Sequence, residues 1–471
     1  MTPIGKHSRR AFLRTTASFG ALGAGGKLAM QLAALGAASR ASAAADDYKA
    51  IVCVYLGGGV DNFHTLAPTD AASLTELRKT RSDLLLQSAS LLPIRTQSTN
   101  GQTAALHPML VNVQALYNAG RIGIVPNVGP MEERVTREQL ASYSKLPPMG
   151  AFSHNDGNSV WHTLGIEGAR YGWGGRMMDL LNGSRNVAFT SISTGFYSPF
   201  GTGQATEQFR IFPDGIVENF AGARANQAAF LGAPGGAAAV RRIQTESVSE
   251  NLLMRQYVAL SKRTFEGVTQ IQAALDEVKN DLPIVAKPRP DDGNQSYKFN
   301  PLISQMRVVA RMIKQRSKFD VSRQIFYLDL GGFDLHGGLK LGMNVLLSQF
   351  DAAMGYLDDA LGELGMRNRV LVFTTSEFGR TMASNVDGTD HGWGGIQFFM
   401  GGGIAGGKLY GDLPVLSANS PNLTAVSPSL IPDYAIEQSA AAIGKWFGVS
   451  ESDLTTVLPN RGRFGPPIQL T

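Results

Sequence analysis

One cysteine, Cys53, serves a chain of 471 residues. That excludes any internal disulfide. Cys53 lies inside an apolar run and reads as a small buried hydrophobe. Charged residues make up only 17% of the chain, and its lysines and arginines form no concentrated stripe. A nucleic-acid partner is therefore not expected. Beyond the N-terminal region no apolar stretch reaches the about 20 residues that a membrane helix requires, so no transmembrane anchor is expected in the mature chain. No internal repeat is present. The first apolar run ends in Gly57-Gly58-Gly59 without completing G-x-G-x-x-G, which disfavours a dinucleotide site.

The N-terminus supplies what the rest lacks. Ser8-Arg9-Arg10-Ala11-Phe12-Leu13 is a twin-arginine pattern. A weakly apolar stretch from Thr15 to Ala38 follows, interrupted by Lys27, and Ala41-Ser42-Ala43 forms a small-x-small cleavage site. Residues 1–45 thus read as an export signal. They imply the twin-arginine translocase as a partner and a periplasmic or secreted destination. This route carries folded cargo, which suits a protein that binds an ion before export. The net charge of +5 includes Lys6, Arg9, Arg10, Arg14, Lys27 and Arg40 of the signal, so the mature chain is near neutral.

Residues 46–471 are expected to form a single α/β domain with insertions near 200–300. Apolar runs at Ala50–Leu56, Ile122–Pro126, Val187–Ile192, Gln324–Leu330, Val370–Thr375 and Ile396–Met400 lack polar alternation, as parallel strands covered on both faces do. Helical stripes lie between them: Leu346, Phe350, Met354, Leu357 and Leu361; Leu302, Met306, Val309 and Ile313; Ile436, Ala440, Ile443 and Phe447. A polar helix is expected from about Leu252 to Asn280. Ala228–Ala239 reads as a flexible loop and Leu282–Gln295 as a Pro-rich linker. Strands alternating with helices predict a doubly wound, mostly parallel sheet.

In open α/β sheets ligands bind beyond the carboxyl ends of the strands. Those positions hold Gly57–His64 with Asp61, Gly331–Gly338 with Asp334 and His336, Ser376–Thr381 with Glu377 and Arg380, and Gly388–Gly395 with Asp390 and His391. The chain has only seven histidines, and two of them, His336 and His391, sit in Asp-x-His or Asp-His groups beside these Gly-rich turns. Carboxylates and imidazoles converging on one rim are what a divalent cation requires. Arg380 is a candidate to hold an anion bidentately. Taken singly, each Asp reads equally as a helix cap or turn residue, and Glu377 as a partner of Arg380. Ser153, before His154, reads either as a helix N-cap or as a hydroxyl nucleophile.

Seven segments carry a resemblance: Leu56–Asn62, Ser153-His154, Gly172–Arg176, Gly332–His336, Ser376–Thr381, Gly388–Trp393 and Trp446–Gly448. The chain resembles a family of twin-arginine-exported bacterial proteins known only as a domain of unknown function. That family in turn resembles the alkaline phosphatase and sulfatase superfamily, which implies an alkaline-phosphatase-like sheet with metal-binding Asp and His residues at its carboxyl rim. On that resemblance Asp61 matches the Asp after the first strand, Asp334 and His336 a later pair, and His391 a late His before Gly. The superfamily has Ser-Asp-His-Gly where this chain has Ser376-Glu377-Phe378-Gly379, so Phe378 replaces a ligand. The implied activity is metal-dependent hydrolysis of a phosphate or sulfate ester, small or polymeric. Asp61, Asp334, His336, Glu377, Asp390 and His391 are the expected ligands or their partners, with Ser153 and Arg380 catalytic. The alternatives are a non-catalytic envelope binding module on the same fold and, third, a nucleotide-binding oxidoreductase.

Overall fold

The computed structural model describes residues 47–165, 167–182, 189–217, 229–230, 233–278, 300–417 and 419–471. The export signal expected at 1–45 and the linker at Leu282–Gln295 lie outside them. Among the described residues no helix is long and apolar enough to cross a membrane. The chain divides into two units, Lys49–Gln315 with Arg323–Thr471, and Met1–Tyr48 with Arg316–Ser322. The first carries the sheet and everything that follows.

Eight strands form the sheet: β1 (Lys49–Gly57), β2 (Ile122–Gly129), β3 (Ser191–Ser193), β4 (Phe209–Arg210), β5 (Arg323–Gly331), β6 (Val370–Thr375), β7 (Gly395–Gly401) and β8 (Tyr434–Ala435). Their spatial order is β8-β2-β7-β6-β1-β5-β3-β4. β1 is central and pairs in parallel with β5 and β6, Gly57 opposite Gly331 and Tyr55 opposite Thr375. Only β7 runs against the rest, antiparallel to both β6 and β2.

Five of the six expected apolar runs lie wholly within strands, and of Val187–Ile192 only Ser191 and Ile192 do, with residues 187–188 outside the described ones; the doubly wound α/β class holds. Two details differ. β7 was expected to be parallel. A parallel return needs a crossover, usually a helix. The chain between Thr375 and Gly395 holds instead a hairpin of Arg380–Ser384 and Thr389–His391, so it re-enters the sheet from the edge it left. β4 and β8 are two residues each, too short for any periodicity to show.

Burial shows why the runs are apolar throughout. Side chains alternate between the two faces of a strand. In β1, Ile51 and Cys53 on one face and Ala50, Val52 and Val54 on the other all have no exposed surface. Both faces are therefore covered. The first face packs with Ile325 and Tyr327 of β5, Leu371 and Phe373 of β6, and residues of two helices, α4 (Trp173–Asn182) and α8 (Ile436–Phe447), which contribute Trp173, Met177, Ile443 and Phe447.

The other helices used below are α1 (Ala71–Arg81), α2 (Val111–Asn118), α3 (His154–Thr163), α5 (Leu252–Glu277), α6 (Pro301–Lys314) and α7 (Leu339–Glu363). α6, α7 and α8 occupy the positions that the apolar stripes predict, and α5 that of the expected polar helix, whose last residues, 279–280, lie outside the described ones. α6 starts where Asn300 caps the amides of Leu302 and Ile303 and Pro301 fills the first turn. The loop expected at Ala228–Ala239 is in part a helix, Gly236–Glu246. Its Ala-rich start favours helix over coil, a propensity that the glycines around it obscure.

Candidate metal centre

The carboxyl ends of β1, β5 and β6 lie side by side, so the Gly-rich segments that follow them meet at one edge. Gly58 and Gly59 adopt positive φ of 120° and 83°, a region that disfavours side chains. A Cβ on Gly58 would collide with the Asp334 amide, and one on Gly59 with the Phe378 ring. These two glycines allow the turn after β1 to touch the turns after β5 and β6.

Arg380 ties the three turns together. Its side chain has no exposed surface. Nε donates to Gly59 O (2.9 Å) and Nη1 to Thr389 O (3.0 Å). Nη2 donates to Gly58 O, Phe333 O and Asp334 Oδ1 at 2.5, 3.0 and 2.6 Å. The expected anion clamp is thus a buried strut. Five acceptors surround it, and with no exposed surface the guanidinium does not face a substrate. Burial pushes the Asp334 carboxyl upward, but the hydrogen bond and charge of Arg380 outweigh it and hold Asp334 below the usual carboxylate range.

Three imidazoles surround Asp334. His154 Nε2 lies 3.4 Å from Oδ2, and His336 Nε2 and His391 Nε2 lie 3.1 and 3.3 Å from Oδ1. His336 Nε2 and His391 Nε2 face each other at 3.1 Å. Offered ligand atoms of His154, Asp334 and His391 all fall within 4.8 Å of one another. Each far ring nitrogen meets an acceptor. His154 Nδ1 is 2.8 Å from Glu377 Oε1, which also accepts from Gly58 N. His391 Nδ1 is 2.8 Å from Phe152 O. His336 Nδ1 is 3.2 Å from Asp390 Oδ1, which also accepts from Asn385 Nδ2.

Those partners assign the tautomers: a carbonyl or carboxylate on Nδ1 requires the proton there. All three Nε2 atoms then turn lone pairs toward a carboxylate, with acceptors facing acceptors. Protonating every ring instead would set the N–H groups of His336 and His391 against each other. One cation at the centre resolves both conflicts. The spacing of His154, Asp334 and His391 suits it too, because ligand atoms bound at about 2.0–2.1 Å around a tetrahedral ion stand about 3.3 Å apart, and His336 joins through Asp334 and His391. The donor set and the acceptors behind it match the pattern in which a carboxylate or carbonyl orients each metal-binding His.

Local sequence explains how each ligand is placed. Ser153 caps α3, its hydroxyl accepting from Asp156 N at 3.4 Å, so His154 stands on the first turn. His391 ends the second hairpin strand, paired with Arg380. Phe378 packs flat on His391 (ring centroids 4.3 Å apart, 29° between planes) and lies 5.0 Å from His154. It fills space beneath two ligand rings. The centre opens to solvent, with the side chains of Asp334 and His336 at 43% and 46% exposure.

Of the residues singled out in the sequence, Asp334, His336 and His391 come together. Glu377 and Asp390 stand behind two of the rings. Asp61 stands elsewhere: it is buried, its carboxylate paired with Arg81 Nη1 and Nη2 at 3.1 and 2.6 Å and capping the His64 amide at 2.8 Å. A carboxylate so occupied has no oxygen to offer an ion. Ser153 is the helix cap, and no described contact joins its hydroxyl to the histidines. His154, a member of the candidate metal group, was not singled out as a ligand from the sequence. Its only signals are its position just inside a capped helix and the Gly157 that lets α3 approach Glu377, where a Cβ would sit 2.9 Å from Glu377 O.

Residues 212–429 match the family model described as a protein of unknown function (DUF1501). No curated protein matches the chain. Among solved structures the chain is similar to Ps i-CgsB in complex with k-i-k-neocarrahexaose, at 11% identity and a TM-score of 0.37, covering 90% of this chain and 75% of that one. It is also similar to the lipoteichoic acid synthase LtaP from Listeria monocytogenes, at 10% identity and a TM-score of 0.30, covering 89% and 93%.

Glu377→Gln tests the role of the acceptor behind His154. The amide can turn its N–H toward Nδ1 and release the tautomer. Affinity for a divalent ion is expected to fall about 10–100-fold, read by competition with a chromogenic chelator. Unchanged affinity would remove Glu377 from the centre.

Proposed function

We propose that this chain is an exported hydrolase of phosphate or sulfate esters, working with one divalent cation held by His154, Asp334, His336 and His391. The observation that carries this reading is the convergence of three imidazole Nε2 atoms on one carboxylate while every Nδ1 is tied to an acceptor. A bound divalent ion supplies Lewis-acid chemistry, polarising an ester oxygen and acidifying a water. The residues of the chain do the rest. Glu377, Phe152 O and Asp390 hold the Nδ1 protons and keep the Nε2 lone pairs directed inward. Arg380 keeps Asp334 ionised and fixed to three turns at once. The exposed side of the site admits water and an anionic ester. With Ser153 engaged as a cap and Arg380 enclosed, water rather than a side chain is the nucleophile in this reading. The twin-arginine signal accounts for delivery to the periplasm in folded, metal-loaded form.

The test is metal content and ester hydrolysis of the mature protein recovered from the periplasm. One equivalent of a divalent ion, together with chelator-sensitive turnover of p-nitrophenyl phosphate or sulfate, is the expected result. Absence of the protein from that compartment would sink the export part. Failure to bind zinc, manganese or calcium would sink the metal centre and leave a binding module on the same fold.

A further inference from the structure

A cavity of about 320 Å³ opens at the carboxyl ends of β1 and β5, the rim that also carries the candidate metal centre; its volume is at the lower end of the range for small-ligand sites, about 300–1,000 Å³. Tyr55, Asn158, Phe196, Tyr197, Tyr327 and Asp329 line it. Its position follows from the same strands. Tyr55 and Tyr327 sit near the carboxyl ends of β1 and β5, and their rings stack with centroids 6.3 Å apart. The Tyr55 hydroxyl is pushed up by burial and then by Glu377, the carboxylate that also holds His154. Asn158 lies one helical turn beyond His154 on α3, and so on the same face.

The lining combines two chemistries. At the mouth, Phe196 and Tyr197 expose 72% and 60% of their surface. They are held from below by Arg210, whose guanidinium lies 5.8 and 6.0 Å from the two ring centres and whose Nε donates to Gly195 O. Beside them, Asp329 Oδ1 accepts the Phe196 amide at 3.0 Å, and its Oδ2 takes no hydrogen bond from the described residues. A Cβ at Gly195 would strike Asp329 Oδ1, so a glycine is needed for this approach.

Each feature excludes a class of ligand. A purely apolar aryl or acyl group would bury Asp329 Oδ2 without a donor, which is costly. A second anion would meet a like charge. What remains is a neutral ring with apolar faces for the aromatics and hydroxyl edges for Asp329 and Asn158. We infer that this cavity is the subsite for the organic part of the ester, and that this part is a sugar-like, hydroxyl-bearing ring. The inference rests on the hydrolase reading for the word ester, and on the cavity alone for the ring.

Two measurements on the metal-loaded protein separate those two. The first is saturation-transfer NMR with unesterified methyl glucoside, methyl galactoside and a neutral disaccharide, which needs no turnover. Transfer to sugar ring protons is expected, and Phe196→Ala/Tyr197→Ala should reduce it at least fivefold. The second compares hydrolysis of sugar 6-phosphates and 6-sulfates with the p-nitrophenyl esters. A site built to hydrogen-bond a hydroxyl discriminates strongly against ligands that lack it. Asp329→Asn should therefore lower kcat/KM for sugar esters at least tenfold more than for aryl esters, mainly through KM. Equal losses on both classes, or no transfer to any sugar from the unmodified protein, would overturn the inference. Sugar binding without hydrolysis of any ester would instead overturn the hydrolase reading and leave the subsite standing. Aryl hydrolysis without sugar binding would do the reverse.

Discussion

His391→Ala is expected to remove the bound divalent ion and reduce ester hydrolysis at least about a hundredfold. Lewis-acid stabilisation of a transition state is worth several kcal/mol, and each 1.36 kcal/mol is about tenfold in rate. His391 is the best single position for this test because its ring touches every other part of the centre. Its Nε2 faces both Asp334 Oδ1 and His336 Nε2, its Nδ1 meets Phe152 O, and its face lies on Phe378. Removing it deletes a ligand and opens a void over Phe378. His391→Gln, which keeps some of that volume, should retain the fold and still lose the ion. Mass spectrometry of the native protein and turnover of a p-nitrophenyl ester read the two effects. A variant that keeps one equivalent of ion and full turnover would exclude His391 from the centre.

Arg81→Leu should destabilise the fold by about 3–5 kcal/mol, since it strands a buried carboxylate. Asp61 and Arg81 are each 1% exposed, and Asp61 also accepts from His64 N and Thr389 Oγ1. Burial works to raise the Asp61 carboxyl, but the charge and hydrogen bonds of Arg81 overcome it, so its folded value lies below the ordinary one. The stability this gives is present above the unfolded value, about 4, and is lost as pH falls through the folded value. Without Arg81 the main opposition to burial is lost, with only the weaker influence of His64 and Thr389 left, and the shift is expected to reverse. The deficit in Tm should then be largest near neutrality and shrink toward pH 4, where Asp61 can take up a proton. Asp61→Asn combined with Arg81→Leu should recover most of the loss, because Asn still caps the following turn. Thermal melts across pH check all three statements. A pH-independent deficit would count against the buried pair.

The same pair shows where the sequence stops being informative. Asp61 follows the first strand, where ligands gather, and nothing nearby in the chain announces its partner. Arg81 comes from the last turn of α1, twenty residues on, and only the fold brings the two together. The strands were legible because burial on both faces leaves an unbroken apolar run. The direction of β7 was not, since such a run reads the same either way. Asp334, His336 and His391 were legible because turns rich in glycine mark the carboxyl rim. His154 was not, because its claim as a ligand depends on Glu377 and Asp334, which lie far away in sequence. Arg380 drew attention for its charge. Its enclosure by five acceptors is a property of three turns at once.

On the proposed function, that enclosure bears on how the ion would come and go. Because Arg380 anchors the turns after β1 and β5 and the hairpin to one another, the ligand cage is finished when the sheet is finished. The ion need not organise the loops it enters. Two of the proposed ligands, Asp334 and His336, stand nearly half open to water, so capture and escape would need no opening of the fold. A chelator should therefore strip the centre within a folded molecule and a fresh ion refill it, with the amide signals of the sheet unmoved throughout.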